Sequence, residues 1–478
     1  MSKILLLDGP AIAYRSHFAL ARAGLTTPEG QDVSATYGYT ATLLKLLRQE
    51  APGYACVAFD TEKPTYRHEL FEEYKADRPG MPEELAGQLE WIREMTEGLG
   101  IHVVAIDGYE ADDVIATLAD RAWKRSMETV IATGDKDMLQ LVNAGTRVIM
   151  LSGSGRDTEV MDRGAVEKKF GLPPELLADY FALTGDAIDN VAGVPGIGPK
   201  TAGRLVARYG RLEDIYAGLD SMPAGKVRKI LEENRETAFA SRELVTVHRE
   251  VPLPLDLEQL KVRPAGGEAL RELMRKLGFR SLAAQIFKDG DSLKVSPKVW
   301  EDGTGRVPVA EKVGLDVNID AESAVTGAIL GVALCCEGGG DHYFPLGHRE
   351  PGNLDREGFA AVLREVLSQR GVKKVAHDAK PVLIALRRLG LDIGSIDFDA
   401  SLAAYLINPG RGGIGPEDIA ADYLGEFLKT EKKRKASDAG ITIREASERY
   451  CLRARIGLKA EALLEEDLRV KGLEGLYR

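Results

Sequence analysis

The chain has 478 residues, a hydrophobic fraction of 44%, and 63 basic against 74 acidic residues for a net charge of −11. That length exceeds one ordinary core and implies two or three domains, while the composition excludes bulk disorder, and no apolar run reaches the roughly 20 residues that would make the membrane a partner. The acidic total argues against a nucleic-acid binder, except that binding depends on local patches, and acids gathered around metal ions lower the total without repelling DNA from a working face.

In chain order, Met1–Asp8 reads as a buried first strand and not as a signal peptide, because its apolar run ends in an acid. Ile4–Leu7, Ala55–Phe59, His102–Ile106 and Val130–Ala132 are expected strands, with helices over Thr36–Arg48, Asp112–Arg125 and Asp137–Val142. Strand and helix in alternation predict a parallel sheet covered on both faces. From Arg163 to Phe287 the pattern is mostly helical, and from about Lys288 to Gly314 it loses periodicity and gains Gly, Pro and charge. A second α/β pattern follows, with strands Val313–Val317, Ile329–Leu334 and His342–Pro345 and helices Arg356–Gln369 and Lys380–Leu389. The expected division is 1–165, 166–290, a linker at 291–311, and 312–478.

Each early strand runs into acids: Asp8, Asp60, then Glu110, Asp112 and Asp113, then Asp135 and Asp137. In an open parallel sheet the carboxyl ends of the strands share one edge, where ligands bind. Two like charges about 4 Å apart repel by roughly 4 kcal/mol at an effective dielectric of 20, so such a cluster must protonate or bind cations. Oxygen-only donors favour Mg²⁺ or Mn²⁺ over zinc, and two such ions suit phosphodiester displacement. A single acid after a strand is commonly a helix cap, as Asp112 or Asp135 would be; four strands in succession make that account insufficient.

At 193–200 the run Gly193-Val194-Pro195-Gly196-Ile197-Gly198-Pro199-Lys200 matches a helix-hairpin-helix. Its glycines permit close approach, and amides at the next helix start, near Lys200 and Thr201, suit a DNA phosphate or a K⁺ bridging to one. Upstream, Asp186 and Asp189 stand three apart and share one face if that segment is helical, where they complete the second metal's ligands.

The motifs LLLDG at 5–9, AFDTEKPTYRHELFEEYKADRPGMP at 58–82, GYEADD at 108–113, TGDKDMLQL at 133–141 and GDAIDNVAGVPGIGPKTA at 185–202 occur in an order that resembles the 5′-nuclease domain of the bacterial DNA polymerase I family, within the wider flap-endonuclease group. The resemblance covers roughly 1–290. It implies a PIN/flap-endonuclease-like sheet with a helical arch near 63–90 and a helix-hairpin-helix subdomain. It also implies metal ligation by Asp8, Asp60, Glu110, Asp112, Asp113, Asp135, Asp137, Asp186 and Asp189. Lys75 and Arg78 match the family's phosphate-contacting positions, suited to stabilising charge on phosphoryl oxygens, and Arg15 and Arg67 look like further phosphate contacts. Tyr14, Tyr37 and Tyr74 are candidates for base stacking or for the core.

Residues 310–478 resemble the ribonuclease H-like 3′–5′ exonuclease module of the same family, through VGLDVNID at 313–320, KKVAHDAKPVLIALRRLGL at 373–391 and IDFDASLAAYLINPG at 396–410. Asp316 stands where the pattern needs it, but Asn318, Val382 and Ala454 replace the other acids, and Arg453 and Arg455 add positive charge. The expectation is an inactive remnant. A polymerase module would begin about where this chain stops, so a polymerase in cis or in trans is an expected partner.

His342 and His348 near Cys335 and Cys336 fit no metal-finger spacing, and KTEKKRK at 429–435 reads as a solvated loop. With Cys56 and Cys451, the four cysteines show no paired spacing, which fits a reducing cytoplasm. The expected activity is a monomeric 5′-3′ exonuclease and flap endonuclease acting on 5′-flap or junction DNA and on RNA–DNA primers. Its rivals are a PIN-like ribonuclease, which shares the acidic edge but lacks the hairpin, and a non-catalytic DNA-binding scaffold, which the intact acids disfavour.

Overall fold

The computed structural model describes residues 2–27, 30–76, 78, 80–151, 158–287, 293–302, 306–308, 310–320, 323–367, 371–409, 414–428 and 440–478. They form two compact units, Met1–Gly278 and Phe279–Arg478.

The first unit is built on β1 (Lys3–Asp8), β2 (Tyr54–Ala58), β3 (His102–Val104), β4 (Glu128–Thr133), β5 (Thr146–Leu151) and β6 (Thr158–Met161), in the order β3-β2-β1-β4-β5-β6. All neighbours are parallel except β5 and β6. Ile4, Leu5, Leu6 and Leu7 are all fully buried, as a central strand covered on both faces requires. The chain moves outward from β1 through β2 to β3, then restarts at β4 on the other side of β1. That reversal opens a crevice at the carboxyl ends of β1 and β4.

The helices Ser34–Glu50 and Ala111–Lys124 lie where sequence periodicity places helix, the helix Gly9–Leu20 was not expected, and the expected helix at 137–142 is a 3₁₀ turn, Lys136–Leu141. The helices beyond residue 163 do not make a separate body: one continuous apolar core runs from Ile4 to Leu260.

The second unit takes in the helix Arg280–Ile286, which the sequence reading placed before the linker. Arg280 pairs with Asp418 and, at 2.7 Å, with Asp422. Its sheet comprises β7 (Pro297–Val299), β8 (Lys312–Asp320), β9 (Ala328–Cys336), β10 (Gly340–Pro345), β11 (Lys373–Ala376) and β12 (Phe398–Asp399), ordered β12-β11-β8-β9-β10-β7. β8, β9 and β10 form an antiparallel meander, and β11 and β12 run parallel to β8. β7 falls inside the expected linker; three residues are too few to show a period, and Trp300 anchors the segment by stacking on Phe344 at 5.1 Å. The helix Ile443–Val470 lies so close on β8 that a Cβ at Gly314 would meet the Ala454 carbonyl at 2.4 Å. The basic run at 429–435 lies outside the described residues.

Candidate active site

Seven acids line one cavity of about 650 Å³ at the carboxyl edge of the first sheet: Asp8, Asp60, Glu110, Asp112, Asp135, Asp186 and Asp189. Asp8 is the last residue of β1 and also caps the helix Gly9–Leu20, accepting from the Ala11 amide at 2.9 Å through Oδ1. Its Oδ2 accepts from the Thr133 hydroxyl at 2.6 Å, and that hydroxyl in turn accepts from the Asp135 amide at 3.0 Å. Capping and site duty thus coexist in one side chain. Asp60 accepts from the Ala111 amide at 2.8 Å, and Asp135 accepts from the Asp137 amide at 2.7 Å.

The electrostatics are those of an under-neutralised cluster. Burial, then the neighbouring Asp60 and Asp135, push the Asp8 carboxyl up to about 6, despite hydrogen bonds that oppose the rise. Desolvation likewise raises Asp60, Asp112, Asp135 and Asp137, and adjacent carboxylates add to it. Buried Oδ1 atoms of Asp112 and Asp137 have no hydrogen-bond partner. Both features favour a cation. Oxygen donors alone, crowded and partly unsatisfied, fit a hard divalent ion.

Four side-chain cations already touch the acids, the buried Arg67 among them at 3.1 Å from Glu110. Lys75 Nζ lies 2.8 Å from Glu110, Arg78 pairs with Asp189, and Lys136 lies 3.0 Å from Asp186. Among the described residues no three acidic, histidine or cysteine side chains converge tightly enough to hold a metal ion. Lys136 and Thr133 were not singled out from sequence. The signal was available in TGDKD: a hydroxyl and a lysine interleaved with two strand-end acids.

Several sequence expectations are corrected. Arg67 is not at the surface: it is 2% exposed, pairs with both oxygens of Asp113 at 2.7 and 2.8 Å, and donates to the Leu244 and Thr246 carbonyls. Asp113 is fully buried, also accepts from the Glu110 and His248 amides, and does not line the cavity. Its oxygens are spent on the core, so it is not placed as a ligand. Asp186 and Asp189 do not share a helical face. The helix Leu177–Thr184 ends first, and a turn closed by reciprocal Asp186–Val191 backbone bonds delivers both acids to the cavity. Asp137 stands behind Asp135, outside the lining.

The segment 63–90 contains two short helices, Tyr66–Leu70 and Glu83–Ala86, and contributes Lys75, Arg78, Met81, Pro82, Leu85 and Leu89 to the cavity wall. Tyr14 stacks on Phe18 along the same wall, at 6.5 Å between ring centres. Tyr74 is buried and hydrogen-bonded to Glu110 and Asp189, which rules out base stacking there. Arg15, half-buried on the helix Gly9–Leu20, does not line the cavity.

Gly196, Gly198 and Lys200 are exposed at the start of the helix Pro199–Tyr209, with Thr201 half-buried, while Val194 and Ile197 anchor the turn in the core. Gly193 is buried instead. Its amide donates to Ser241 Oγ at 3.2 Å, and its backbone is pressed against Gly185, so it has no face for a phosphate.

In the second unit Asp316 is buried and paired with Arg453 Nε at 2.8 Å. Asn318 is buried against Tyr343, and Val382 and Ala454 lie in apolar core. Arg455 pairs with Asp341 instead of joining Arg453.

The chain is similar to known proteins over most of its length. Family models match as the 5′-3′ exonuclease N-terminal resolvase-like domain at residues 3–171, its C-terminal SAM fold at 172–268, and the DNA polymerase I ribonuclease H-like domain at 352–432. DNA polymerase I of Bacillus caldotenax is 34% identical, with 88% of this chain and 47% of that protein covered. DNA polymerase I of Mycobacterium tuberculosis is 32% identical, with 97% and 53% covered, so the chain spans about half the length of these relatives. Among solved structures, the T5 D15 protein co-crystallised with metal ions aligns at 18% identity and a TM-score of 0.44, covering 58% of this chain and 98% of that one. Residues 3–268 thus belong to the 5′-3′ exonuclease family, while residues 352–432 match the DNA polymerase I ribonuclease H-like domain.

Proposed function

We propose that the first unit is a divalent-metal-dependent nuclease that hydrolyses phosphodiesters at 5′ flaps and single-strand/duplex junctions, on DNA and on RNA primers, in replication and repair. The observation that supports it best is the single cavity lined by seven carboxylates, with Lys75 and Arg78 set among them. Asp8, Asp60, Glu110, Asp112, Asp135, Asp186 and Asp189 would hold two Mg²⁺ or Mn²⁺, with Asp137 in support. When bound, such ions activate water and steady the leaving 3′ oxygen.

The chain's own residues set the rest. Lys75 and Arg78, released from Glu110 and Asp189, are positioned to bind the scissile phosphate and stabilise its developing charge. Thr133 fixes the orientation of the Asp8 carboxylate through its 2.6 Å hydrogen bond. The apolar wall of Tyr14, Phe18, Met81 and Leu85 excludes water and gives a base a face to lie on. Exposed Gly196, Gly198 and Lys200 suit contact with the duplex backbone, in the manner of a helix-hairpin-helix that holds a phosphate directly or through K⁺. A polymerase in cis or in trans would extend the neighbouring upstream 3′ end and displace the 5′ flap that this site removes, leaving a 5′-phosphate at the nick.

The second unit is proposed not to cut. Arg453 neutralises the Asp316 carboxylate, and no acid stands at 318, 382 or 454.

A 5′-flap duplex labelled at either end, with a matched RNA hairpin as control, tests both statements. Junction cleavage is expected in Mg²⁺, abolished by chelator and reduced at least ~100-fold by Asp135→Asn. The 3′-labelled strand should shorten only by the flap lost at the junction, with no nucleotide removed from its 3′ end. Failure to cleave at any Mg²⁺ or Mn²⁺ concentration would overturn the nuclease reading, preference for the hairpin would point to a ribonuclease, and 3′ shortening abolished by Asp316→Ala would overturn the reading of the second unit.

A further inference from the structure

Two segments far apart in sequence bring the cations and part of the acids to the cavity, and they meet at a pair of crossed hydrogen bonds. The Lys75 amide donates to the Asp189 carbonyl at 3.1 Å, and the Asn190 side-chain amide donates to the Glu73 carbonyl at 2.8 Å. Both residues at the crossing have left-handed backbone, with φ of 57° at Lys75 and 56° at Asn190. A lysine gains nothing locally from that conformation, which costs a non-glycine residue about 1–2 kcal/mol and persists only where surroundings impose it. Asparagine tolerates it best among residues that still carry a side-chain donor.

The consequence is geometric. With the crossing made, Lys75 Nζ reaches Glu110 at 2.8 Å and Arg78 reaches Asp189. Asn190 itself does not line the cavity. Its neighbour Asp189 does, and the turn it belongs to is tied by the Asp186–Val191 bonds, so the turn is rigid on one side and clasped on the other.

We propose that Asn190 is a positioning residue: its side-chain amide clasps the strip carrying Lys75 and Arg78 to the turn carrying Asp186 and Asp189, so that cations and acids of the site move as one unit. The effect on cleavage rests on the nuclease reading above, whereas the clasp itself does not. Two variants separate its parts. Asn190→Gly keeps left-handed backbone at no cost but loses the donor. Asn190→Asp keeps size and backbone tolerance but offers a carbonyl no donor.

On a 5′-flap duplex, both variants should lose at least ~10-fold in single-turnover rate in Mg²⁺, with duplex affinity in Ca²⁺ unchanged within about 2-fold; this kcat-side loss is what misplacement of reacting groups produces. In a double-mutant cycle, Asn190→Gly should slow Lys75→Ala by less than it slows the unaltered protein, because part of its effect acts through Lys75. Hydrogen exchange gives a readout independent of activity: the Lys75 amide should exchange at least ~10-fold faster in Asn190→Gly, with exchange in β1 and β4 unaltered. Asn190→Asp cutting at the unaltered rate, fully multiplicative effects with Lys75→Ala, or unchanged exchange at Lys75 would each overturn the proposal. If the unaltered protein cuts nothing, the nuclease reading falls, and the exchange measurement alone still decides the clasp.

Discussion

Consecutive acids in this chain have opposite duties, and helix phase decides which. Asp112 and Asp113 are adjacent, but successive residues on a helix point about 100° apart, so one faces the cavity and the other the core. Sequence shows both as carboxylates after a strand and cannot assign the phase without the partner. That partner is Arg67, which arrives from 46 residues away and is hydrogen-bonded through its Nε, Nη1 and Nη2. Burial disfavours its charge, yet Asp113 and Glu110 outweigh burial and raise its pKa. Removing one member of a buried pair strands the other charge, at a cost of about 3–5 kcal/mol. Arg67→Ala should therefore lower unfolding free energy by that amount in urea, with little recovery in Arg67→Lys, which cannot bond bidentately. A loss below about 1 kcal/mol accompanied by weakened DNA binding would return Arg67 to the phosphate-contacting role its position in the motif suggested.

Elements were legible where their pattern was local. β1, β2 and β4 and the helix Ala111–Lys124 were visible as apolar runs and periodic faces, and so was the edge on which Asp8, Asp60 and Asp135 meet. The turn carrying Asp186 and Asp189 was not: three-residue spacing is the same in a helix and in a hairpin turn, and only the break after Thr184 distinguishes them. Nor was the division of labour among the glycines. Gly196 and Gly198 are exposed, whereas Gly193, at φ 63°, would place a Cβ 2.4 Å from the Gly185 nitrogen. Gly193→Ala should accordingly cost more than about 1 kcal/mol of stability, because backbone and not a flexible side chain must give way. It should slow cleavage through the displaced Asp186–Val191 turn. Gly198→Ala, whose Cβ meets nothing within 4 Å, should cost only the roughly 0.5–1 kcal/mol of a poorer helix N-cap while weakening duplex binding. Equal effects of the two on binding alone would contradict that division.

The two units resolve the same problem, acids buried at a sheet, in opposite ways, and the difference is measurable on the intact chain. In the first, four cations face seven carboxylates, and Asp8 is pushed up to about 6, so any divalent ion that binds the folded state stabilises it. At 100 times its dissociation constant the gain is about 2.7 kcal/mol. In the second, Arg453 already occupies Asp316, and no comparable gain exists. Its sensitivity is to protons instead. His377 is 6% exposed, its Nδ1 has no hydrogen-bond partner, and burial, then Arg453, push its pKa down to about 3. The charged group set against it there is Arg453, which also faces Asp316. A histidine whose folded pKa lies below the unfolded value near 6.5 binds fewer protons when folded. Its contribution is complete above about 6.5 and is lost as pH falls towards about 3, with a slope of up to about 1.4 kcal/mol per pH unit. Asp316, raised by burial, has the opposite sign, so the histidine is isolated by difference with His377→Gln. Hydrogen exchange read separately in β1 and in β8 should then show Mg²⁺ slowing exchange in β1 only. Acidification from pH 7 to 5.5 should lower the opening free energy of β8, read as exchange corrected for the intrinsic pH dependence of amide exchange, and His377→Gln should remove about 1 kcal/mol of that change. Mg²⁺ protecting β8 as strongly as β1 would mean that the second unit keeps a metal site that the Asp316–Arg453 pair is argued to have closed.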